Sequence, residues 1–184
     1  EYAAQALEIG ESEIGFSDHS PMREDDFDAW RMRASELPEY FSKLEQAQKD
    51  HPTLSIRHGL EVDFLPGQES WIREMSDMHD WYYFIGSVHY VGDWAIDDPA
   101  TLNQWKNHDT MEVWTAYFRN LTTAAATGLF QIMGHADLPK KFGFVPEEDC
   151  EPLYREFLIA CADTDTCIEL NTAGLRKECA EIYP

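Results

Sequence analysis

Short β-like runs alternate with longer helical stretches along the chain. The runs are Glu13-Ile14-Gly15-Phe16-Ser17, a segment within Thr53–Phe64 around Leu54, Ile56, Leu60 and Val62, the aromatic and β-branched stretch Trp81–Val91, Phe130-Gln131-Ile132-Met133, and Cys167-Ile168-Glu169-Leu170. Glu1 to Ile9 reads as a helix that Gly10 stops. Ser35 is placed to cap a second, with Pro38 in its first turn and Leu37, Tyr40, Phe41, Leu44 and Ala47 on one face. A third begins near Thr110, presents Val113, Trp114, Tyr117, Phe118 and Leu121 at spacings of three and four, and ends at Gly128. A fourth covers Pro152–Ala162, with Leu153, Phe157, Ile159 and Ala160 as core candidates.

Strand and helix therefore follow one another at intervals of roughly 35 residues, which implies βα units and a mostly parallel sheet. No repeat, low-complexity segment or linker divides residues 1–184, so a single domain is expected. Periodicity fits both a doubly wound open sheet and a (β/α) barrel.

Composition narrows the function. The net charge is −21, from 35 acidic and 14 basic side chains. Such a charge argues against a non-specific nucleic-acid binder and against a protein lying on an anionic membrane. A phosphorylated substrate stays compatible where Arg, Lys or metal ions supply local positive charge. No apolar run approaches the roughly 20 residues of a membrane span. Cys150, Cys161, Cys167 and Cys179 have no CxxC spacing and read as free thiols of a cytoplasmic protein.

The chemistry lies in where the ligand-type residues fall. The first run leads into Ser17-Asp18-His19-Ser20, the second into Gly59-Leu60-Glu61-Val62-Asp63, the third into Gly86-Ser87-Val88-His89, and the fourth into Gly134-His135-Ala136-Asp137. Four successive strands thus deliver a His or Glu near their C-terminal ends. A barrel gathers those ends on one face, whereas an open sheet spreads them along a line. Three imidazoles and a carboxylate suit Zn²⁺, Fe²⁺ or Mn²⁺, and Glu61 can bridge two ions through its two oxygens. Asp18 and Asp137 stand close to these histidines, as supports of ligand N–H groups or as ligands themselves. A strand-end His also serves as an ordinary hydrogen-bonded residue; the joint pattern is what favours metal. His51, His58, His79 and His108 lie outside it and read as solvated or structural. Arg176 and Lys140 follow the fifth and fourth runs and are candidates for phosphate contact. No GxSxG, GxGxxG or P-loop spacing is present.

The ordered set Gly15-Phe16-Ser17-Asp18-His19-Ser20-Pro21, Gly59-Leu60-Glu61-Val62-Asp63, Gly86-Ser87-Val88-His89, Gly134-His135-Ala136-Asp137 and Glu169-Leu170-Asn171-Thr172-Ala173-Gly174-Leu175-Arg176 resembles the PHP (polymerase and histidinol phosphatase) superfamily. Arg31-Met32-Arg33, Leu37-Pro38-Glu39-Tyr40 and Lys140-Lys141-Phe142-Gly143 resemble the branch that dephosphorylates histidinol phosphate in histidine biosynthesis. The resemblance implies a distorted (β/α)₇ barrel with up to three divalent ions (Zn, Fe or Mn). His19 would bind one ion, Glu61 would bridge two, and His89 and His135 would complete the third; Asp18 and Glu61 would take part in catalysis. It implies a small phosphate ester as substrate: histidinol phosphate, with another phosphate ester or a non-catalytic scaffold as the alternatives. It also places the family's first strand, with a His-x-His pair, before Glu1 and its closing Asp-x-His strand after Pro184. On that expectation the 184-residue chain lacks the first and last strands of the barrel, holds about one ion and is inactive alone.

Overall fold

A computed structural model describes residues 1–24 and 27–183. The chain divides into two compact units. The first comprises Glu1–Val62 and Ser70–Ile85; the second comprises Asp63–Glu69 and the residues from Gly86 onward.

In the first unit, helix α1 (Tyr2–Glu8) is followed by strand β1 (Glu13–His19), helix α2 (Leu37–Asp50), strand β2 (Ser55–Asp63), helix α3 (Glu69–Ser76) and strand β3 (Tyr83–Ser87). The strands are neighbours in the order β1-β2-β3. Strand β1 runs parallel to β2 without a break in register, from Glu13 opposite Ser55 to His19 opposite Glu61. Ala3, Ala6, Leu54 and Ile56 form a core to which Leu7, Ile14, Phe16 and Ala47 add partly buried surface. The Tyr83 ring lies across two glycines. A methyl group at Gly15 would come within 2.4 Å of its hydroxyl, and one at Gly59 within 2.5 Å of its Cζ. Strand alternation puts Gly15 on the face of β1 that carries His19, and Gly59 on the face of β2 that carries Glu61. The glycines therefore make room for an aromatic ring beside the functional residues.

The second unit contains the end of β3, a small antiparallel hairpin of β4 (Tyr90–Val91) and β5 (Trp94–Ala95), helix α4 (Thr110–Ala126), strand β6 (Ile132–Met133), helix α5 (Glu151–Asp163) and strand β7 (Cys167–Ile168). Strand β6 lies between β3 and β7 and runs parallel to β7. The Asp109 carboxylate accepts from the Glu112 N–H and caps α4, and Gly128 closes it with φ +65°. Val113, Trp114, Tyr117, Phe118 and Leu121 are all buried, and Phe118 meets Phe157 of α5 with ring centroids 6.2 Å apart.

Several expectations change. Ser35 does not cap α2: it sits inside a 3₁₀ turn, Ala34–Glu36, where the Glu36 carboxylate accepts from the Arg33 N–H at 2.6 Å. The Trp81–Val91 run breaks after Ser87, and Tyr90 and Val91 enter the hairpin. Ile159 points to solvent, 55% exposed. The barrel implied by the resemblance is not closed: among the described residues, β1 in the first unit and β7 in the second each have one strand neighbour. Among the described residues, no helix is long and apolar enough to cross a membrane. The four cysteines are unpaired.

Candidate metal centre

In the first unit the β1–β2 ladder ends with His19 and Glu61 in register. Their closest atoms, His19 Nε2 and Glu61 Oε2, are 3.9 Å apart. That is too long for a hydrogen bond and short enough for both atoms to ligate one ion at about 2.0–2.2 Å each. The donor pair thus fits a divalent ion. The Ser20 N–H, donating to the Glu61 carbonyl at 2.8 Å, extends the ladder past His19, and Trp30 packs edge-on against the His19 ring, centroids 4.5 Å apart. Asp18, one residue earlier, lies on the opposite face of β1. It lines a cavity of about 390 Å³ with Trp30, Arg31, Glu36, Glu39 and Tyr40.

In the second unit His89 and His135 are buried, with ring centroids 4.9 Å apart. His89 Nδ1 is 2.6 Å from Asp63 Oδ1, and that carboxylate is almost wholly buried. The contact assigns the Nδ1 proton to the Asp63 side and leaves Nε2 as the ligating nitrogen, a common arrangement for metal-binding histidines. His135 has φ +23°. Its N–H donates to Glu169 Oε2 at 2.9 Å, and its carbonyl accepts from the Tyr117 hydroxyl at 3.0 Å.

Asp137 pairs with Lys140 through Oδ2, while its buried Oδ1 has no hydrogen-bond partner among the described residues. Burial raises the Asp137 pKa against the pull of Lys140. Lys140 is itself buried, and its ammonium also donates to the Ile182 carbonyl at 2.7 Å and to Glu181 at 3.3 Å. All three of its protons are engaged within the protein. Arg176 stands exposed in the 3₁₀ turn Thr172–Arg176. Of the other histidines, His58 and His79 stack and share a 3.0 Å nitrogen–nitrogen contact, with Phe41 stacked on His79. His108 stacks on Trp94.

Asp63, Tyr117 and Glu169 are not marked as functional by the sequence alone. For Asp63 a signal existed, since it lies two residues after Glu61 and so on the same face of β2. For Tyr117 the signal was only a core spacing, and for Glu169 a place at a strand end.

Fold and donors together define a class, an α/β protein that delivers imidazole and carboxylate groups at the C-terminal ends of parallel strands, as metal-dependent hydrolases do. The chain belongs to the PHP domain family, whose profile matches residues 1–173. It is 40% identical over 186 residues to a Deinococcus radiodurans protein named "Probable histidinol-phosphatase", covering 100% of this chain and 70% of the relative. A Bacillus subtilis histidinol-phosphatase is 27% identical over 96% of this chain and 75% of its own length. The crystal structure of a candidate histidinol phosphatase from Listeria monocytogenes superposes with a TM-score of 0.83 at 26% identity, over 98% of this chain and 79% of that one. At 23% identity and a TM-score of 0.77, the fold is also that of a Lactococcus lactis histidinol phosphate phosphatase, solved with Zn, L-histidinol and phosphate; 93% of this chain and 65% of that one are covered.

Proposed function

We propose that this protein is a cytoplasmic, metal-dependent phosphomonoesterase that hydrolyses L-histidinol phosphate to L-histidinol and phosphate. The observation that carries the reading is the 40% identity over the whole chain to the Deinococcus relative. The retained donors agree with it. His19 closes β1, Glu61 lies near the end of β2, and His89 and His135 each follow a strand by two residues.

A phosphate monoester dianion repels nucleophiles, and its hydrolysis is accelerated by enzymes by up to about 10²¹-fold. Bound divalent ions supply positive charge opposite the phosphoryl oxygens and acidify water. In this reading His19, Glu61, His89 and His135 hold those ions, with Glu61 able to span two of them. Asp63 fixes the ring of His89. Arg176, exposed and in an acidic chain, is available for a bidentate phosphate contact. Lys140 supports Asp137 and so stiffens the loop after His135. The amine and imidazole end of the substrate is cationic, and the acidic character of the chain suits it.

The test is phosphate release by the full chain from a panel of monoesters, with Zn²⁺, Mn²⁺ or Fe²⁺, before and after chelation. Histidinol phosphate is expected to be the preferred substrate, with activity lost on chelation and restored by metal. Preference for another ester would transfer the reading to a different phosphoesterase. Metal binding without any release would make the protein a scaffold.

A further inference from the structure

We propose that Glu169 and Tyr117 are positioning residues that clamp the backbone of His135 in the left-handed conformation from which it serves as a ligand. The inference rests on the metal-binding reading of His135 given above.

A non-glycine residue with positive φ is uncommon, and strained backbone of this kind persists only where its surroundings impose it. His135 sits at φ +23°, immediately after Gly134, whose N–H donates to the Gly86 carbonyl. The chain must leave β6 at this point. The N–H of His135 is held from outside its own loop, and its carbonyl accepts both from the Leu138 N–H within the loop, at 3.0 Å, and from outside it. Its N–H meets Glu169 Oε2 at 2.9 Å and its carbonyl meets the Tyr117 hydroxyl at 3.0 Å. The two partners come from different elements: Tyr117 from the buried face of α4, Glu169 from just beyond β7.

Each partner is itself fixed. Tyr117 is fully buried, so its hydroxyl has no water to turn to and donates to the His135 carbonyl. Glu169 Oε2 also accepts from Asn171 Nδ2 at 3.1 Å. Asn171 exchanges backbone hydrogen bonds with Tyr183, and its Oδ1 accepts from the Ala173 N–H at 2.8 Å. The N–H of His135 and the amide of Asn171 thus converge on one oxygen. A glutamine at position 169 offers an oxygen in the same place, without the charge.

That equivalence supplies the test. Zn²⁺ affinity is measured by calorimetric titration on the full chain, alongside phosphate release, for the wild type and for Glu169→Ala, Glu169→Gln and Tyr117→Phe. Loss of an outer support of a metal ligand costs about 10–100-fold in metal affinity. Glu169→Ala is expected to fall in that range, Glu169→Gln to bind close to wild type, and Tyr117→Phe to show a smaller loss. Glutamine as damaging as alanine would overturn the clamp, because the carboxylate would then act through its charge. Alanine as good as wild type would overturn it too. Should Glu169→Ala fail to fold, Tyr117→Phe decides, and an unchanged Zn²⁺ affinity there ends the proposal. A wild type that binds Zn²⁺ but releases no phosphate would remove the proposed activity and leave the clamp standing.

Discussion

The two units place their candidate ligands by different means. In the first, a seven-residue strand and a nine-residue strand stay in register up to the pair His19–Glu61, so the ladder itself sets the spacing. A slip of one residue in either strand would turn its ligand to the opposite face. In the second, β6 and β7 are two residues each, and His89 and His135 lie beyond any strand. Their placement depends on side chains: Asp63 on the ring of one, Glu169 and Tyr117 on the backbone of the other. Regular pairing distributes the task over many weak bonds, whereas side-chain support concentrates it in a few replaceable atoms. The first unit should therefore be sensitive to packing errors, and the second to single polar substitutions.

The largest expected effect tests whether the ladder contributes chemistry at all. Glu61→Gln keeps the shape of the side chain and removes its charge. If the carboxylate binds metal, phosphate release should fall at least about 100-fold, since metal charge contributes several kcal/mol to such a transition state and each 1.36 kcal/mol is tenfold. Thermal stability should change little, and undiminished turnover would remove Glu61 from the reaction. Next comes Asp63→Ala, which removes the acceptor from His89 Nδ1. Zn²⁺ affinity should weaken by about 10–100-fold, read by calorimetry; an unaltered affinity would break the contrast between the units. Third, Gly59→Ala drives a methyl group into the Tyr83 ring and should cost about 1–3 kcal/mol in urea unfolding. Combining it with Tyr83→Leu should show strong non-additivity, since both act on one contact.

The smallest effect is on pH. Burial first, and the neighbouring His79 second, hold the His58 pKa below its ordinary 6.5. The unfolded chain therefore takes up that proton first. Stability should be unaffected above about pH 6.5 and decline as the pH falls through the folded value. Replacing His79 with phenylalanine keeps the stack on Phe41 and should flatten that decline in a series of Tm measurements.

Much of this was legible in the sequence where one periodic pattern ran long enough. Every residue expected on the inner face of α4 is buried, and Leu37, Tyr40 and Leu44 of α2 are too. The donors at strand ends were readable because a strand-end rule needs only local order. Short elements were not. Helix α3 spans eight residues and buries Trp71, Ile72 and Met75 without enough turns to declare a period. The β4–β5 hairpin hides inside an aromatic run that reads as one strand. The supports of His89 and His135 come from 26 and 34 residues away in sequence, so only tertiary structure reveals them. Lys140 shows the same limit. Its charge in an acidic chain suggests phosphate, while the fold surrounds it with Asp137, Glu181 and a carbonyl.

The ring of Tyr83, seated across Gly15 and Gly59, also constrains the order in which this sequence can change. A side chain at position 59 or 15 overlaps the ring while it is present, yet a smaller residue at 83 leaves a void rather than a clash. Voids weaken a fold by degrees, and overlaps of this depth make the ring leave its place. Lineages that gain a methyl group at either glycine should therefore have lost the tyrosine first. Swapping the two steps in a reconstructed series, and scoring soluble yield at each, would reveal that one-way path.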